Sequence, residues 1–370
     1  GTVITFPVNN VAGFSIANTL NNSNLKPEIS QETEFGGELR FFNNRLGFDL
    51  AYYNKTTRDQ ILPVNTAPTS GYNFLIVNFG KVRNKGIELA INAVPVKTRD
   101  FNWELNYTFA RNRNEVLELP NGLEQVVIND AYDAQLIARV GEPLAVIEAP
   151  VPKTDPEGRI IVNPSNGLAV PANPNVKYGS TQRDFSMGLT NGLTYKGLNL
   201  AFTWDWKKGG VFYSGTADLL GFTGNDVRTT YNDRKPFIIP NSVLEVTDAA
   251  GNVSYVENNI PIAETEIDDY YYHSSNKALA YYNRIIDKSF IKLRDVTLTY
   301  ALPKSVASKI RAQRASLAVF GRNLWTWLPE QNRSIDPEVS NFGNDLRSEF
   351  GEFRTGPSTR NFGASLRVSF

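Results

Sequence analysis

The residues most suited to chemistry lie close together: Glu264, Glu266, Asp268, Asp269, Tyr270, Tyr271 and Tyr272, followed by His273. Aromatic faces stack on sugar rings and carboxylates accept their hydroxyls, which makes Asp268, Asp269, Tyr270, Tyr271 and Tyr272 the candidate substrate contacts. The same acids are the place for a structural Ca²⁺ in the loops, although no EF-hand spacing supports one. The plainer reading is a solvated loop that runs into a belt of interfacial tyrosines. His273 is the chain's one histidine and there is no cysteine. That leaves no zinc pattern, no disulfide and no Ser-His or Cys-His pair to activate a nucleophile. Asp336-Pro337-Glu338 offers paired acids of the kind used in glycoside hydrolysis. Gly209-Gly210 lacks the Lys-Ser/Thr ending of a phosphate loop. No constellation supports catalysis, so the chain is expected not to be an enzyme and to need no catalytic cofactor.

Composition narrows what could position such residues. The 370 residues carry 38 Lys plus Arg against 38 Asp plus Glu, so no field draws the chain to nucleic acid, which is excluded as a partner. Hydrophobic residues make up 41%, yet no run of about 18 apolar residues exists to form a transmembrane helix. A mean hydropathy of -0.31 still permits membrane strands, which spread apolar character over alternate residues. With 22 Phe and 16 Tyr, aromatics exceed what a soluble domain needs, and interfacial girdles are one place to put them.

The strongest such strand is the last. From Phe362 onward the even positions are apolar and the odd ones small or polar, ending on Phe370. About ten residues with that alternation cross a bilayer at a tilt. Eight further strands alternate in the same way, over about 31–41, 46–52, 87–93, 101–109, 185–195, 198–206, 289–302 and 315–324, and residues 303–314 can form one or two helical turns. Connections within successive pairs are short, and Lys196-Gly197 is a two-residue hairpin. Those between pairs, near 58–84, 112–184, 208–288 and 325–358, are long. Outer-membrane barrels separate short periplasmic turns from long extracellular loops in this manner. The fold expected is therefore all-β, a transmembrane antiparallel β-barrel segment of nine strands with its long loops outside. Charged residues on the polar faces, among them Glu32, Glu38, Arg40, Glu88, Glu104, Asp205 and Arg367, should line a wet lumen.

An odd number of strands is not expected to close alone, since bacterial single-chain barrels have even counts and an open edge in lipid leaves backbone groups unpaired. The remaining strands are expected to precede Gly1. Residues 1–30 then read as a loop leading into the barrel and 31–370 as its C-terminal half. The rival reading is a secreted or surface β-rich glycan-binding module.

Several words occur in order: Asn24-Leu25-Lys26-Pro27-Glu28, Glu34-Phe35-Gly36, Tyr52-Tyr53-Asn54-Lys55-Thr56, Asn84-Lys85-Gly86-Ile87-Glu88-Leu89, Pro240-Asn241-Ser242-Val243, the stretch Ser289-Phe290-Ile291-Lys292-Leu293-Arg294-Asp295, Gly321-Arg322-Asn323-Leu324, Asp336-Pro337-Glu338 and Arg360-Asn361-Phe362-Gly363. Together they resemble the late barrel of SusC/RagA-like TonB-dependent transporters. The resemblance implies a 22-stranded barrel with an N-terminal plug and a TonB-contacting segment, none of whose residues appear here. It also implies a SusD-like surface lipoprotein as partner, contact with the TonB complex and outer-membrane lipids, and import of oligosaccharides or peptides by Bacteroidetes-type bacteria. Within it Asp336-Pro337-Glu338 becomes a structural loop, and Phe362, Leu366, Val368 and Phe370 resemble the signal read by the barrel-assembly machinery.

Overall fold

A computed structural model describes residues 2–8, 11–15, 17–131, 134–271, 284–332, 335–343 and 346–370. All nine expected strands are present, and they form one antiparallel sheet in which each strand pairs with the next in the chain. They are β1 (Ile29–Phe41), β2 (Leu46–Arg58), β3 (Lys81–Lys97), β4 (Phe101–Glu118), β5 (Phe185–Tyr195), β6 (Leu198–Lys208), β7 (Phe290–Ala301), β8 (Arg314–Trp327) and β9 (Asn361–Ser369). Several outrun the alternation that announced them. β4 has 18 residues, roughly 60 Å at about 3.3 Å per residue, so it continues well past a hydrocarbon core of about 30 Å.

Register explains why the alternation is so regular. Leu39 faces Phe48, which faces Ile91, then Tyr107, Leu189, Trp204, Leu293 and Trp325, an unbroken apolar row across β1 to β8. The neighbouring row runs Phe41, Leu46, Ala93, Leu105, Asn191, Phe202, Val296, Gly321 and Phe362. It begins at the short-turn end of β1 and finishes at the long-loop end of β9, which is the stagger that tilted strands in a barrel wall require. Asn191 interrupts the apolar character of this row, and the Trp103 Nε1–H answers it by donating to Asn191 Oδ1 at 3.1 Å. Apolar side chains on this face stay open, Phe35 at 69% and Phe362 at 76% exposure. In water that surface would be a liability, whereas in lipid it is the solvent-facing side.

The short turns have local causes. Phe42, Asn43 and Asn44 all take left-handed φ, and the Arg45 amide closes the turn on the Phe42 carbonyl at 3.2 Å. Lys196 and Gly197 have φ of 46° and 87°, the pair of positive values that a two-residue hairpin uses to match strand twist. Between β7 and β8 the expected helical turns are Lys304–Ala307 and Ser308–Ile310. Gly86 in β3 has a different reason: a Cβ there would come within 2.5 Å of the Tyr53 hydroxyl. That hydroxyl donates to Asn112 Oδ1 at 3.1 Å, so an absent side chain on β3 lets β2 reach across to β4.

The long connections are folded, which the sequence reading did not anticipate. The second contains a four-stranded sheet of Gln125–Ala131, Ala134–Arg139, Val146–Ala149 and Val176–Ser180. The second and third share a sheet in which Ile160–Val162 runs parallel to Ser242–Thr247, itself paired with Val253–Glu257. The third and fourth share another, with Val211–Ser214 parallel to Gly351–Glu352. Phe79, Ile128, Leu136, Ile147, Tyr213 and Phe350 meet in one buried cluster, so all four connections contribute to a single core. Those at the core, Ala134–Arg139, Val146–Ala149 and Ile160–Val162, are three to six residues long and largely buried on both faces, and alternation is the wrong signal for such segments. The lead-in also holds structure: Thr2–Val8 pairs with Val11–Ser15, and Thr19–Leu20 with Phe74–Asn78.

Candidate functional site

Across the sheet from the apolar rows, the other side chains make a polar wall. Gly36, Ala51, Ala90, Ala110 and Gly188 are small, and their neighbours Glu34, Glu38, Asp49, Glu88 and Asp205 rim a hollow of about 750 Å³. Arg40 answers part of the charge, with Nη2 at 2.6 Å from Glu38 and 3.1 Å from Asp49. These pairs are open to solvent, where such bridges contribute about 0–1 kcal/mol. Their role is to keep the wall wet and mostly acidic.

At the long-loop end the wall changes character. Thr203 of β6 faces Asp295 and Trp204 faces Leu293, so Arg294 is an extra residue in β7, a bulge that re-aims its side chain. Its guanidinium pairs with Asp205 and with Glu338. Lys292 Nζ reaches Asp336 Oδ1 and Glu338 Oε2, both at 2.7 Å, and Lys207 Nζ reaches Glu338 Oε1 at 3.0 Å. Beneath these cations lies the Phe290 ring, with Lys292 at 4.7 Å and Arg183 at 5.1 Å from its centre. Its negative face favours that gathering of charge.

Asp336-Pro337-Glu338 is therefore a clamp holding the fourth connection to the wall. Burial pushes both carboxyls up, but it is outweighed: hydrogen bonds from Arg294, Lys292 and Lys207 hold Glu338 well below the usual carboxylate range, and those from Lys292 and Ser358 hold Asp336 low. Neither acid is protonated near neutrality, as the proton donor of glycoside hydrolysis would have to be. A carboxyl whose pKa is lowered by folding stabilises fully above its unfolded value and loses that contribution as pH falls toward its folded one. Fluorescence of Trp325 and Trp327, which lead into this connection, is thus expected to stay constant from about pH 8 to about 4.5 and to shift only below about pH 4. A transition near neutrality would contradict the clamp.

The tyrosine cluster is packed more than displayed. Asp268, Asp269, Tyr270 and Tyr271 lie on the short helix Ile267–Tyr271. Tyr270 stands edge-on to Phe237 at 5.0 Å and to Tyr271 at 4.9 Å. Both tyrosines pack on a second core that includes Val162, Leu168, Ile239 and Ile262. Burial, reinforced by neighbouring Tyr270, pushes the Tyr271 phenol up to about 12. Asp268 remains exposed and Asp269 half-exposed, whereas Tyr272 and His273 lie outside the described residues. Among the described residues no group of three or more His, Cys, Asp or Glu could hold a metal ion.

β9 pairs with β8 and forms one edge of the sheet. Phe362 and Leu366 stand on the apolar face opposite Gly321 and Leu317, Val368 is half-buried opposite Ala315, and Phe370 is exposed. Reading the sequence missed Arg183, Lys288 and Glu352. Each has a partner at least 61 positions away, and no local pattern carries that information.

Residues 1–153 match the family model described as "TonB dependent receptor-like, beta-barrel". The chain is 26% identical over 382 residues to TonB-dependent receptor P3 of Formosa agariphila, covering 94% of this chain and 35% of that protein. It is 25% identical over 195 residues to TonB-dependent receptor SusC of Bacteroides thetaiotaomicron, covering 49% of this chain and 19% of the other. Among solved structures, that of the RagAB peptide transporter superposes on all of this chain and 38% of the matched one, with a TM-score of 0.70 at 19% identity. The chain thus spans little more than a third of the length of the relatives it matches from end to end.

Proposed function

Because this chain carries a TonB-dependent receptor-like β-barrel of the SusC/RagA kind, we propose that the whole protein imports a large nutrient across the bacterial outer membrane. The observation that carries this reading is the pairing of faces on one sheet. An apolar belt runs across all nine strands on one side, and a charged, hollowed wall lies on the other. A secreted glycan-binding module would have no use for the exposed belt. The substrate class is an oligosaccharide or a peptide. The finer parts rest on the likeness to SusC: a SusD-like lipoprotein over the folded loops, and a plug and TonB contact in the portion of the relatives' length that lies beyond the matched region.

Deleting the gene is expected to abolish growth on the oligomer that induces it and to spare growth on the corresponding monomer, with a protonophore blocking uptake in the wild type. Undiminished growth on every oligomer the strain uses would refute import. Phe362, Leu366, Val368 and Phe370 are proposed as the assembly signal, because β9 offers an open strand edge with its apolar side chains outward. Phe370→Ala should lower the amount of folded protein in the outer membrane severalfold, seen as loss of the heat-modifiable gel band; equal amounts would argue that the terminal ring is dispensable.

A further inference from the structure

The four short turns carry a charge that the chain as a whole does not. Residues 42–45, 97–100, 196–197 and 302–314 hold eight basic residues and one acid, Asp100, in a sequence whose charges balance at 38 of each sign. All eight bases are exposed. Lys196 has Asp100 for company, with Nζ 3.8 Å from the carboxylate. Arg45 spans one turn to the next, its Nη2 donating to the carbonyls of Val94 and Pro95, both at 3.0 Å. Among the described residues no carboxylate stands within ion-pair distance of Arg45 or of the other six, and carbonyls do not cancel a guanidinium's charge.

A row of apolar-face residues fixes the depth of these cations. Phe101 faces Tyr195, which faces Leu198, then Tyr300, Leu317 and Leu366, across β4 to β9 at the short-turn end. Tyr195 and Tyr300 are 53% and 41% exposed, and tyrosines at strand ends settle at headgroup level. The Lys196 Nζ lies 5.4 Å from the centre of the Tyr195 ring, so this ammonium leans back over the lipid-facing side and not into the lumen. Between β7 and β8, Val306 and Ile310 are exposed four positions apart, with Lys304, Lys309 and Arg311 around them. Apolar residues with cations alongside are the makings of a segment that lies in a membrane interface.

We propose that the short-turn rim is a docking surface for anionic phospholipid headgroups, whose phosphates meet the exposed Lys and Arg just beyond the aromatic row. The proposal rests on the reading of this sheet as a membrane wall and adds a lipid preference to one of its two ends. A lipid surface fits better than a folded partner because the cations are spread over all four turns along the perimeter, at the depth the rings set, and a headgroup needs only a cation at that depth.

The test reconstitutes the full-length protein in phosphatidylcholine vesicles with a trace of spin-labelled phosphatidylglycerol or spin-labelled phosphatidylcholine. Electron spin resonance reads the fraction of each label slowed at the protein's perimeter. At low salt the wild type should favour phosphatidylglycerol about threefold, and the ratio should fall as salt screens the rim. Replacing Lys97, Arg99, Lys304 and Lys309 together by Gln should bring the ratio down toward one. Lys26→Gln with Lys235→Gln, two exposed cations at the long-loop end, should leave it unchanged. Where the fourfold variant does not reach the folded, heat-modifiable form, Lys97→Gln with Arg99→Gln, confined to one exposed turn, decides by a smaller fall. The proposal is overturned by equal slowing of the two labels in the wild type, by a ratio indifferent to salt, or by an unchanged ratio in the deciding variant. It is also overturned if that variant keeps the ratio but loses retention on purified peptidoglycan, which would assign the rim to the cell wall. Each of those results leaves the membrane wall standing, whereas no slowed lipid of either kind would refute the wall itself.

Discussion

Glu352→Ala is expected to release the fourth connection from the third at a cost of about 3 kcal/mol in local stability, because several buried donors lose their acceptor together. Glu352 is fully buried. It accepts from Ser214 Oγ, from the Thr216 amide at 3.0 Å and hydroxyl at 2.6 Å, and from the Thr355 hydroxyl at 3.0 Å. Ser214 is also the N-cap of the helix Gly215–Phe222, its oxygen accepting from the Ala217 amide at 3.0 Å. One carboxyl group therefore supports a strand pairing, a helix start and a loop return. Hydrogen exchange should accelerate over residues 211–222 and 351–355 while β1 to β9 keep their protection. Uniform acceleration across the barrel strands, or none anywhere, would show that Glu352 does not have this local role. Glu352→Gln retains one acceptor oxygen and should fall between the two.

Phe202→Arg tests the other half of the molecule. Phe202 lies midway along β6 in the staggered apolar row, between Asn191 and Val296. An arginine on the lipid face at mid-membrane costs about 2–4 kcal/mol, whereas on the polar face it should cost little. Thr203→Arg, one residue on, is the control because its side chain belongs to the opposite face. Refolding into lipid vesicles monitored by urea titration should show a markedly lower midpoint for Phe202→Arg than for Thr203→Arg. Equal midpoints would mean that the belt does not face lipid.

The contrast between these two sites also shows what could be read from the chain. Alternation over about seven to fourteen residues identified every wall strand, since period two is a local property that a membrane enforces on each strand separately. It even survived the bulge at Arg294, where the face changes parity but the apolar row is continued by Leu293. The folded connections were opaque for the opposite reason. Glu352 touches Ser214 across 138 positions, and short strands such as Ile160–Val162 are buried on both sides. The acids and tyrosines at 268–271 drew attention because they are adjacent in sequence. Gln60 comes to one cavity from the first connection and Arg183 from the second, and no local spacing joins them.

The core shared by the four connections has a consequence for how such a protein can change. Phe79, Ile128, Tyr213 and Phe350 come from four different connections and fit one another. A graft of one loop from a relative would bring a surface shaped for absent neighbours, whereas the four grafted together would bring their own interior. The four connections are accordingly inherited as a block, with the wall as their indifferent mount.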